Sequence, residues 1–265
     1  MQSGVSCMIE QWGVVIEGHP FDLSEASRCF GDASLSSLRV GTLTTPSGKT
    51  LPALFAEAFA SLTDDGEVHR EAERVLAVLN GMLFVIDAAR EPLKIVSIHR
   101  HSPNGWSGGA LLMAGKAKAR SKAIAVASGG TPVPPADTPE VRWMNLALAV
   151  DEVRDVLLFL RAPEPDWFDL YKAGELLESA AEQPWWPKSK FNDFTCSAQF
   201  DRHARGAHEG MKLDRRMSLP GARSFIRDIA RQWLLWWTSD EAGAREASQQ
   251  NVRSRRKEDK RDRKR

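Results

Sequence analysis

The run Ser128-Gly129-Gly130-Thr131-Pro132-Val133-Pro134-Pro135-Ala136-Asp137-Thr138-Pro139 divides this chain in two. Its four prolines each lack a backbone donor and fix φ, so neither a helix interior nor a central strand accommodates them. Composition differs on either side. The expected organisation is an α+β module over 1–127, a Pro/Gly linker over 128–139, an all-α helical bundle over 140–240, and a disordered basic tail over 241–265.

Ahead of the linker, Trp12-Gly13-Val14-Val15-Ile16-Glu17 is a short β-branched run closed by Gly18, which signals a strand. Residues 38–44 alternate apolar and polar side chains and break at Pro46-Ser47-Gly48, a strand and turn. A helix begins near Asp64-Asp65-Gly66. Val68, Ala72, Val75, Leu76 and Leu79 recur at helical spacing, and Asn80-Gly81 is the expected stop. Further strands are expected over 82–86 and 93–98, with another pair within 110–127.

Behind the linker the spacing is helical. Leu146, Val150, Val153, Leu157 and Leu160 step by three or four as one stripe. A second helix follows Pro163-Glu164-Pro165, with Asp166 as cap and Trp167, Leu170, Tyr171, Gly174 and Leu177 along it. A short helix is expected over 191–198. The last is capped by Ser218, has Pro220 in its first turn, and buries Ala222, Phe225, Ile226, Ile229, Trp233 and Trp236. Four helices with short connections imply a bundle.

Bulk properties narrow the classes. Of 265 residues, 42% are hydrophobic and 27% charged, enough for a sizeable core under a polar surface. No apolar run approaches the roughly 20 residues that span a bilayer, so no membrane partner is expected. Met1-Gln2-Ser3-Gly4 does not open a secretory signal. Cys7, Cys29 and Cys196 are odd in number and far apart, neither a disulfide framework nor a metal knuckle. A reducing cytoplasm is the expected compartment. The net charge of +1 conceals an asymmetry: residues 253–265 hold nine Lys/Arg against three acids, so the remainder sums to −5. A basic terminus on an acidic body attracts phosphates.

The chemistry concentrates in Asp201-Arg202-His203-Ala204-Arg205-Gly206-Ala207-His208-Glu209-Gly210. An arginine grips a phosphate bidentately, and a histidine titrating near neutrality can donate a proton to a leaving oxygen. RNA supplies its own 2′-hydroxyl nucleophile, so such a site needs no metal. The bland alternative is a loop in which Asp201 and Glu209 pair with Arg202 or Arg205. Elsewhere, His99 and His101 would share one side of a strand, but a metal site there needs a third ligand, with Asp87 the nearest candidate. Residues 104–109 lack the Lys-Ser/Thr of a phosphate loop and the dinucleotide spacing, so they read as a turn and no cofactor is expected. Trp185-Trp186 between two prolines, and Trp233, Trp236 and Trp237, suit packing better than base stacking.

Arg202-His203 followed by His208, just ahead of the final helix, resembles the motif of the HEPN superfamily: an arginine, a polar residue, and a histidine after four to six intervening residues. Five separate Arg202 from His208. The resemblance covers about 140–240. It implies a metal-independent ribonuclease or RNA-binding protein of a bacterial defence or toxin–antitoxin type, working as a homodimer. Arg202, His203 and His208 would be catalytic, with Arg205, Arg255, Arg256 and Lys257 contacting RNA. The superfamily usually holds its arginine at a helix end, whereas Gly206 and Gly210 give this segment the look of a loop. The whole chain also resembles bacterial proteins that pair an N-terminal module carrying Ile16-Glu17-Gly18, Asp22-Leu23 and Asn80-Gly81 with a helical module carrying Leu170-Tyr171-Lys172, Arg202-His203-Ala204-Arg205 and Met217-Ser218-Leu219. That likeness implies no activity. The alternative function is a non-catalytic regulator, binding a protein partner through the front module and dimerising through the helices.

Overall fold

A computed structural model describes residues 11–31, 37–45, 47–87, 91–103, 105–110, 137–202 and 216–239. The front of the chain forms a five-stranded antiparallel sheet with helices, and the back is helical. The strands are β1 (Trp12–Glu17), β2 (Leu38–Thr44), β3 (Thr50–Ala56), β4 (Lys94–Ser102) and β5 (Gly105–Ala110), in spatial order β2-β3-β1-β4-β5. β1 is central because it is apolar on both faces: Trp12, Val14 and Ile16 join the main core, while Val15 belongs to a small cluster on the opposite face. One hairpin turns at Gly48 (φ 80°) and the other at Gly105 (φ 97°), a left-handed region open to glycine without steric cost. The β1–β4 register slips between Val15 and Ile16, which pair with Ser97 and Ile95. Val96 is thus the extra residue of a bulge, and it is exposed.

The first sheet face is covered by α1 (Pro20–Phe30) and α2 (Asp65–Asp87). Asp64 caps α2, its carboxylate accepting from the Gly66 and Glu67 amides at 2.9 and 3.1 Å. Two expectations fail here. The helix does not stop at Asn80-Gly81, and 82–86 is not a strand; α2 runs through both. Asn80 is buried, and its side-chain amide acts as a surrogate strand edge. It accepts from the Leu93 amide at 2.8 Å and donates to the Leu93 carbonyl at 3.1 Å. Gly81 lets the helix meet α4, where a Cβ would stand 2.1 Å from the Leu157 carbonyl oxygen. The run Met82, Leu83, Phe84 and Val85 is apolar because α2 is buried on all sides there, not because it alternates.

The helical part comprises α3 (Pro139–Ala149), α4 (Asp151–Phe159), α5 (Trp167–Leu177), α6 (Lys188–Arg202) and α7 (Leu219–Thr238). The stripe expected to continue from Leu146 to Leu160 is broken: Val150 is extended (φ −117°, ψ 118°). α3 buries Val141, Trp143, Met144 and Ala147, while α4 buries Val153, Val156 and Leu157. These stripes face differently, and the extended residue re-aims the chain between them. The caps on Asp166 and Ser218 form as expected, accepting from the amides of Asp169 (2.9 Å) and Gly221 (3.2 Å). α2 touches α3, α4 and α7, and a single core cluster holds residues from both sides of the 128–139 run. No helix among the described residues is long and apolar enough to cross a membrane.

Candidate functional site

The motif segment begins where α6 ends. Phe191 and Phe194 anchor that helix, ringed by Trp186 (4.7 Å from Phe191), Trp167 (6.2 Å from Phe194) and Phe225 of α7 (5.9 Å from Phe194). Gly174 of α5 keeps the space clear, since a Cβ there would be 2.9 Å from the Phe194 ring. Trp186 and Trp233 are therefore core residues, and Trp237 packs edge-on against Trp233 at 5.9 Å. Near the end of α6 the buried Ser197 hydroxyl donates to the Asp193 carbonyl (2.7 Å) and accepts from the Met217 amide (2.9 Å). This bond ties the last turns of α6 to the residue before the α7 cap. Arg223 fixes the start of α7 from the other side, donating to the Pro165 carbonyl (2.9 Å) and to Glu164 (3.3 Å).

Arg202 is the last described residue of α6. Its side chain, and His203, Arg205 and His208, lie outside the described residues, as do Arg255, Arg256 and Lys257. Asp201 and Glu209, the rival ion-pair partners, have no described side chains either.

The second constellation is on the sheet. His99 and His101 share its second face, as their spacing on a strand requires; they pair with Gly108 and Trp106 of β5. The glycine-rich run expected as a turn is mostly strand, since β5 pairs with β4 from Gly105 onward. The reason is local. The His99 ring lies where a Cβ on Gly108 would be, 2.1 Å from its Nδ1, so the position accepts no side chain. His99 Nε2 is 2.9 Å from the Ser97 hydroxyl, and Nδ1 is buried without a hydrogen-bond partner among the described residues. Burial pushes the His99 imidazole below its ordinary pKa. The described residues contain no group of three His, Cys, Asp or Glu able to hold a metal, and Asp87 does not complete one.

Three further groups on this face carry no motif in the sequence. Phe55 and Trp106 pack at 5.8 Å, the Arg39 guanidinium lies 4.0 Å from the Phe55 ring centre, and His101 meets Trp106 edge-on at 4.9 Å. Isolated glycines at 13 and 41, inside otherwise good strands, are the only trace they leave. Comparison with known protein families, characterised proteins and solved structures finds no match to this chain.

Proposed function

We propose that the protein acts on RNA through its helical part, by metal-independent cleavage at Arg202 and His208. The observation that supports this reading is that Arg202 lies in the last described turn of α6, a helix tied to the start of α7 by the Ser197–Met217 bond. In the proposed reaction the ribose 2′-hydroxyl attacks the adjacent phosphorus as its proton passes to solvent water, and the P–O5′ bond breaks. Arg202 steadies the phosphate, and His208 delivers the proton to the departing 5′-oxygen. His203 and Arg205 assist, and Arg255, Arg256 and Lys257 add salt-sensitive affinity for the RNA backbone. By analogy with the resemblance, a homodimer completes the site, and a bacterial defence or toxin–antitoxin setting suits it.

The test is incubation of the full chain with total RNA in the presence of chelator, beside the His208→Ala variant. The wild type is expected to cleave, and the variant to lose activity by at least about a hundredfold while keeping its circular dichroism. Full activity in His208→Ala removes this residue from the site. Intact RNA with the wild type favours the non-catalytic regulator.

A further inference from the structure

The second face of the sheet is built differently from the first. Three strands carry a glycine on it, Gly41 in β2, Gly13 in β1 and Gly108 in β5, and each lies beneath a larger group. A Cβ on Gly13 would be 3.0 Å from the Phe55 ring and 3.2 Å from the Trp106 ring; one on Gly41 would be 2.2 Å from an Arg39 nitrogen. Glycine weakens a strand interior and marks close approach, so three on one face indicate side chains laid flat against the backbone. The apolar members of the face, Val15, Leu43, Ala53 and Phe55, are at most 3% exposed. Apart from the partly exposed Leu51 near one end of β3, what remains accessible is polar or aromatic: the partly exposed Trp106, the exposed His101 and the partly exposed Arg39. By strand alternation the one carboxylate that the described strands place on this side is Glu17, at the far strand end opposite Lys94. A surface whose aliphatic groups are mostly covered suits an apolar partner poorly. A ring, an imidazole and a guanidinium backed by an aromatic suit stacked bases and phosphate.

We infer that this sheet face is a stacking platform for single-stranded RNA, with Trp106 and His101 against the bases and Arg39 toward the backbone. It rests on the RNA reading above for the choice of ligand, but not on Arg202 or His208. The platform would hold the strand while the helical part acts on it.

The probe is a labelled 2′-O-methyl oligouridine of about 16 nucleotides, which has no free 2′-hydroxyl and cannot be cut by the proposed reaction. Binding to the full chain is read by fluorescence anisotropy across a salt series. Trp106→Ala and His101→Ala are each expected to weaken binding about tenfold, and Arg39→Gln to reduce the salt slope by about one. Trp106→Phe, which keeps a stacking ring, is expected to bind close to wild type and so separates stacking from a packing defect. Wild type that does not bind the probe overturns the platform, as do folded Trp106→Ala and His101→Ala variants that bind like wild type. Platform variants that lose binding while total RNA stays intact strike the cleavage reading alone. Cleavage that persists with unaffected binding strikes the platform alone.

Discussion

A methyl group at position 81 has no room, because it would stand 2.1 Å from the Leu157 carbonyl oxygen of α4. Helix propensity alone favours alanine there by about 1 kcal/mol. The obstacle is backbone rather than a flexible side chain, so relief requires α2 and α4 to separate, and overpacking of that kind costs about 1–3 kcal/mol. Gly81→Ala should therefore lose up to about 2 kcal/mol of stability in urea unfolding. A gain would mean that the helices part freely. His99 gives a pH effect. Its folded pKa lies below the ordinary value of 6.5, so on acidification the unfolded chain binds the proton first. Stability contributed by the neutral ring is complete above that value and declines as pH falls below it. Urea midpoints should drop between about pH 7 and pH 5, and His99→Gln, which does not titrate, should flatten part of that drop. An unchanged profile in the variant would assign the acid sensitivity elsewhere.

At the scale of elements, what was legible in the sequence depended on whether local and tertiary demands agreed. α7 is readable because Ser218 supplies a cap, Pro220 suits the first turn, and Phe225, Ile226, Ile229 and Trp233 follow one stripe. β1 and β2 are readable for the same reason. Asn80-Gly81 misleads because both residues serve contacts remote in the chain: a side-chain amide pairing with Leu93 and a close crossing with α4. β5 misleads in the opposite direction. Its glycines look like a turn, yet Gly108 clears space for His99 and the backbone still pairs. Of the candidate site, the residue types and their order before the final helix were legible. The extent of α6 was not, since the expected helix covered only 191–198 whereas α6 is described over Lys188–Arg202. The sheet-face group was invisible because Arg39, Phe55, His101 and Trp106 come from four strands brought together only by register.

Across the whole molecule, the 128–139 run divides composition but not packing. α2 belongs to the sheet by sequence, and it carries Val75, Leu79 and Met82 into the core that also holds Met144, Leu157 and Trp233. Unfolding of the sheet should therefore be coupled to unfolding of the helices. Native-state hydrogen exchange should give the amides of Val14 and Ile229 similar opening free energies, both lowered together by Gly81→Ala. Two well-separated values would describe two independent units instead. If RNA is cut by its own 2′-hydroxyl with Arg202 and His208, as proposed, the chemistry of the product ends tests that most directly. Fragments made by the full chain in chelator should carry 2′,3′-cyclic phosphates and 5′-hydroxyls, and should disappear with His208→Ala. Fragments with 5′-phosphates, cleavage that survives in the variant, or RNA left whole would contradict it.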